Sequence, residues 1–75
     1  MTVRRTYQSR NYQLRLVEYP RTRRYEIQGL DLEDGEWVVN VRIKVVDYDY
    51  YKASSQLSLE VIQHERDGLS FTEVF

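Results

Sequence analysis

The sequence predicts an all-β fold, a small antiparallel meander of about six short strands. Three observations predict it. Val, Ile, Tyr and Thr dominate the apolar runs, with seven tyrosines in 75 residues, and such side chains suit a pleated, half-buried surface. Apolar and polar residues alternate with period two along most of the chain. Turn-forming residues separate the alternating runs at regular intervals.

The first run is Val3, Arg5 and Tyr7, and the second is Tyr12, Leu14 and Leu16, with Ser9-Arg10-Asn11 between them. Pro20-Arg21 follows, where proline fits the second position of a turn. Tyr25 and Ile27 open the third run, and Trp37, Val39, Val41, Ile43 and Val45 alternate along the fourth. Asp34-Gly35 joins these two as a two-residue hairpin turn, since both positions need positive φ. Leu57, Leu59 and Val61 read as a fifth strand, and Leu69 and Phe71 as a sixth after Asp67-Gly68. The expected strands are 2–8, 12–19, 23–32, 36–46, 56–63 and 69–75.

Register follows from keeping apolar residues on one face. Around Asp34-Gly35, Leu32 faces Trp37 and Leu30 faces Val39, but without adjustment Ile27 would face Arg42. One extra residue at Gln28-Gly29 restores the pattern, so a β-bulge is expected there, glycine being the residue such a bulge favours. Ile27 would then meet Val41. The preceding hairpins are expected to pair Leu14 with Ile27, Leu16 with Tyr25, and Arg5 with Leu14.

The resulting apolar face must be covered. Leaving several Leu or Ile exposed, at ~1.5–3 kcal/mol each, would exceed a total stability of about 4–11 kcal/mol for this size. Closure by a C-terminal hairpin is expected. It would give a barrel or two-layer sandwich resembling an SH3-like or other small barrel in size and strand count only. The alternative is α+β, with a short helix near 48–55 capped by Asp47 and lying over the sheet.

Residues 1–75 form one domain. With no cysteine, neither disulfides nor thiolate zinc sites supplement the core. The basic N-terminal stretch has no apolar segment behind it, and no run approaches the ~20 residues that span a membrane. A cytoplasmic protein that does not bind a membrane is the expectation. Net charge is −1, but residues 1–25 carry +6 and residues 26–75 carry −7. Such a split attracts either a polyanion or the opposite half of the same sequence, within one chain or between two.

Candidate chemistry is sparse. Asp47 and Asp49 in VVDYDYY share a strand face, but no third acid or histidine stands near them in sequence. DLEDGE at 31–36 lacks calcium-loop spacing. His64 is the single histidine, in a stretch that reads as a loop. No catalytic, metal or cofactor residue is assigned, and the chain reads as a non-enzymatic interaction module. Its partner would be another protein or a second copy of itself, as a homodimer.

The expected partner-binding residues are Tyr19, Arg21, Arg23, Arg24, Tyr48, Tyr50 and Tyr51, because interfaces favour tyrosine and arginine. The alternative is a single-stranded nucleic-acid-binding domain using a basic sheet face of Arg4, Arg15, Arg24, Arg42 and Lys44. The apolar parity switches between Val45 and Val46. Asp47 and Asp49 are therefore expected in water, with at least one of Tyr48 and Tyr50 substantially buried.

Overall fold

The chain folds as β1 (Thr2–Gln8), β2 (Tyr12–Tyr19), β3 (Arg24–Glu33), β4 (Glu36–Val45), α1 (Tyr50–Arg66) and β5 (Thr72–Val74). This is seen in a computed structural model that describes all 75 residues. The strands form one antiparallel sheet in the order β4-β3-β2-β1-β5. The four-stranded meander is as expected. The closure is not: there are five strands, the sheet stays open, and a helix provides the cover.

Residues 56–63 are the interior of α1 rather than a strand. Leu57 and Val61 fit either structure, because i and i+4 share a face at a period of 2.0 or 3.6. Leu59 distinguishes them: in the helix it points outward and is 59% exposed. Asp49, not Asp47, caps α1, its carboxylate accepting from the backbone N–H groups of Tyr51 and Lys52. At the far end Gly68 adopts φ 96°, and the Leu69 N–H returns to the His64 carbonyl, a glycine stop. His64 therefore lies in the last helical turn, its Nδ1 donating to the Glu60 carbonyl. The C-terminal segment makes no hairpin with its predecessor. β5 pairs instead with β1, through Thr6–Val74, Tyr7–Glu73 and Gln8–Thr72.

The core lies between α1 and one sheet face. Ala53, Leu57 and Val61 pack on Leu14, Leu16, Tyr25, Ile27 and Val45, with Tyr7, Tyr12, Ile43, Tyr50 and Phe71 around the rim. Tyr12 stacks on His64 at 5.2 Å and meets Phe71 edge-on at 6.4 Å between ring centroids. Phe71 thereby anchors the segment that leads into β5.

Both early hairpins are slipped by two residues from expectation, the first of them only from Arg5 onward, since Val3 lies across from Val17. Leu14 lies across from Gly29 and Leu16 from Ile27, while Arg5 lies across from Leu16 and Tyr7 from Leu14. A two-residue slip keeps every side chain on its face, so alternation alone carries no record of it. The Asp34-Gly35 turn does have both φ values positive, 51° and 80°.

The bulge occurs at the expected level but on the opposite strand. Gly29 pairs with Val41 and Leu30 with Val39, so the extra residue is Asn40 in β4. Ile27 meets Ile43 rather than Val41. Leu30, Leu32, Trp37 and Val39 therefore lie on the face away from α1. A second bulge separates Val3 from Arg5. It turns Arg4 toward the helix side, so Arg4 does not join the basic sheet face as expected.

Gly29 is explained by close approach. A Cβ there would overlap the Tyr12 hydroxyl and stand 3.4 Å from the Val41 Cβ. Gly29→Ala should cost ~1–3 kcal/mol, the range for overpacking a close-packed site. Leu57→Ala should cost ~2–5 kcal/mol through loss of buried contact and a residual cavity. Urea denaturation of both variants checks these values, and an unchanged midpoint for Leu57→Ala would contradict the placement of α1 over the sheet.

Candidate interaction surface

One helix leaves two parts of the sheet uncovered: the face opposite α1, and the β4 margin. On the opposite face, Val17 and Leu30 are fully buried beneath longer side chains. Above them runs a polar network centred on Gln28, which is 1% exposed. Arg15 Nε donates to Gln28 Oε1 at 2.8 Å. Gln28 Nε2 donates to Glu26 Oε1 at 2.8 Å and to the Tyr19 hydroxyl at 3.2 Å. Arg42 donates to the same Glu26 oxygen at 2.9 Å. Arg24 lies 4.4 Å from the centre of the Tyr19 ring and covers it. Arg15, Arg24, Arg42 and Lys44 thus share this face, but only Lys44 is clear of the network.

The tyrosines expected at a partner surface separate into two groups. Tyr48 stacks on Tyr25 at 5.2 Å, donates its hydroxyl to Glu18, and lies beneath Arg23 at 5.3 Å. Tyr50 turns into the core rim beneath Arg4 at 4.5 Å. Tyr51 is 82% exposed on the outer side of α1, its ring meeting Tyr50 edge-on at 5.9 Å. Arg21 and Arg23 lie at the turn between β2 and β3, Arg21 and Arg23 both exposed. That turn contains a 3-10 helix over Pro20–Thr22, and Arg23 takes a left-handed φ of 49°.

Asp47 and Asp49 are both exposed. Asp47 pairs with Lys52 at 3.4 Å, and Asp49 is occupied as the helix cap. Tyr50 is the half-buried tyrosine of this segment.

The helix side of β1 holds a second charge cluster. Arg5 binds both oxygens of Glu73, at 2.8 and 3.0 Å, and also donates to Tyr7 and Ser54. One guanidinium thereby joins β1, β5 and α1, in the two-pronged geometry that makes arginine pairs strong. A cleft of about 520 Å³ opens beside it, lined by Arg4, Arg5, Tyr50, Glu73 and Phe75. Its two arginines already hold carboxylates, Glu18 and Glu73.

The β4 margin differs from all of these. β4 is an edge strand of ten residues, so the backbone groups on its outer side have no partner strand. Val38 and Val41 are 40% and 41% exposed on the helix side, where α1 lies over β2 and β3 instead. Trp37 and Val39 are half-buried on the other side. None of these four residues is among the expected partner-binding positions. The signal was Trp37-Val38-Val39: three consecutive apolar residues in an alternating strand must put apolar surface on both faces.

The ion pairs on the helix side fix an acid response. The Tyr48 hydroxyl, then Arg4, hold the Glu18 carboxyl below its ordinary range, and Arg5 does the same for Glu73. A lowered folded pKa means stability that is complete above the unfolded value and lost as pH falls through the folded one. Melting temperature should therefore hold above about pH 5 and decline below the ordinary glutamate value of ~4.3. Glu73→Gln should flatten that decline, and an identical pH profile for the variant would contradict the role of the Arg5 pair. Comparisons with protein-family models, with curated proteins and with solved structures return no match, so functional assignment rests on these surfaces.

Proposed function

We propose that the chain is a non-enzymatic protein-binding module that takes its partner on β4, by addition of the partner's strand to the sheet edge. The observation that carries this is the ten-residue edge with exposed Val38 and Val41 and no proline. Soluble proteins ordinarily protect such edges with charge, proline or cover. Here Glu36 stands at the start and Arg42 and Lys44 in the second half, and residues 37–41 carry no charge. Strand addition gives affinity through backbone hydrogen bonds and specificity through alternating side chains. The expected partner-binding residues Arg21, Arg23 and Tyr48 lie at the Val45 end of the sheet, over β2 and β3, since Tyr48 stacks on Tyr25, which pairs with Val45.

Single-stranded nucleic acid is the second ligand class, favoured by the common face of Arg15, Arg24, Arg42 and Lys44. Two features weigh against it. Glu26 and Gln28 already hold Arg42 and Arg15. Arg24 occupies the Tyr19 ring face, where base stacking would otherwise contribute ~1–3 kcal/mol.

Selection of extended peptides from a random library separates the two ligand classes. Peptides that bind should slow amide exchange along β4 and lose affinity on Val38→Lys with Val41→Lys. Binders that protect only α1 or the opposite sheet face would overturn the assignment. Labelled single-stranded DNA and RNA should give no anisotropy change at ~50 mM salt, where phosphate contacts are strong. Salt-dependent binding abolished by Arg15→Glu with Arg42→Glu would instead establish the nucleic-acid alternative.

A further inference from the structure

If β4 is a strand-adding edge, as proposed, the charges that the chain does not neutralise internally identify its partner. Four ion pairs consume Arg4 with Glu18, Arg5 with Glu73, Arg42 with Glu26, and Lys52 with Asp47. Around β4, the charges left outside these pairs are sorted by sign, Asp49 apart, whose carboxylate caps α1. Glu33, Asp34 and Glu36 stand exposed at its start, on and beside the Asp34-Gly35 turn. Lys44 stands at its other end, where Arg21 and Arg23 project from the neighbouring turn and Tyr25 pairs with Val45. At ~3.3 Å per residue, the ten residues of β4 put these ends roughly 30 Å apart. That is several times the ~8 Å screening length at physiological salt, so neither end can neutralise the other within one chain.

We propose that the occupant of the β4 edge is a second copy of this chain, paired antiparallel about a two-fold axis between Val39 and Asn40. An antiparallel pair is the arrangement that places the acidic end of each copy beside the basic end of the other, and it does so twice. A parallel pair would set like charges together at both ends. In this register Val38 of each copy lies across from Val41 of the other on the helix side, covering the apolar positions that α1 does not reach. Lys44 lies across from Gly35, between Asp34 and Glu36 of the second copy. Because Asn40 is the extra residue of each strand, the axis passes beside both bulges and facing residues match on either side of it. The product is one continuous ten-stranded sheet, five strands from each copy, with a helix on the same face of each half. Such an interface is isologous, the same patch used by both subunits, and its charge arrangement supplies orientation and encounter rate.

A charge exchange tests this. Sedimentation equilibrium of the 75-residue chain should show a mass rising from 9.1 kDa toward twice that value across the micromolar range. The dimer should weaken in ~1 M salt, where screening is severe. Glu33→Lys with Glu36→Lys, and separately Arg21→Glu with Lys44→Glu, should each weaken self-association about tenfold or more by placing like charges together. An equimolar mixture of the two variants should restore the dimer, because opposite charges then meet again across the interface. No rescue within one chain can imitate this.

A monomer at every concentration, together with peptides that still protect β4, would overturn the self-pairing and leave strand addition standing. A dimer whose β4 amides exchange freely would overturn the self-pairing, and strand addition would fall with it only if no selected peptide protects β4 either. Such a dimer would place the contact elsewhere, such as the outer side of α1 around Leu59.

Discussion

A helix is about 10–12 Å across, whereas each strand adds ~4.8 Å to a sheet. One helix can therefore seal about two strands, and this chain has four in its meander and one helix to cover them. Everything else in the molecule is arranged around that mismatch. The two central strands, β2 and β3, receive α1 and contribute Leu14, Leu16, Tyr25 and Ile27 to the core. On the β1 side the uncovered width is tied down by polar means, with the Arg5 guanidinium gripping Glu73 of β5 and Ser54 of α1. The β4 side has the Arg42–Glu26 pair and the packing of Ile43 and Val45, but from Trp37 to Val41 it receives neither helix nor ion pair. The open margin is thus what remains once a short chain has used its single helix.

The sheet face opposite α1 solves the same problem with polar chemistry. Val17 and Leu30 need cover as much as the core residues do, and they are buried without any further layer. Around them the Arg15 and Arg42 heads bond Gln28 and Glu26, and long arginine side chains can shield apolar surface with their aliphatic stems. A run of basic residues along strands is therefore not automatically a ligand surface. The guanidinium groups of Arg15 and Arg42 that mark the face as basic are already engaged by Gln28 and Glu26.

How much was legible in the sequence depended on whether a residue's role was set by its neighbours along the chain or by distant partners. Asp34-Gly35 dictates its own backbone, so the turn and the β3–β4 pairing as far as Leu30–Val39 were readable. The change of parity at Val45–Val46 correctly placed Asp47 and Asp49 in water. The helix was misread as a strand because Leu57 and Val61 satisfy both periods, and only the outward position of Leu59 distinguishes them. The bulge was legible as a need for one extra residue, but parity is blind to which strand supplies it. Gly29 reads as the signature of that bulge, yet its small size serves Tyr12, a contact between strands that spacing cannot reveal. Arg4 and Arg24 were likewise readable as charges, though not as residues laid over Tyr50 and Tyr19.

The two margins of this sheet are unequal. β5 has three residues and β4 has ten, and β1 beyond the reach of β5 is distorted by the bulge at Arg4. A sheet with two equivalent open sides can add neighbours indefinitely and grow into a fibre. This one has a single long open side and a stub, so in the proposed self-pairing the growing ends would be used up at the first step. A stoichiometry of two would then follow from the brevity of the last strand.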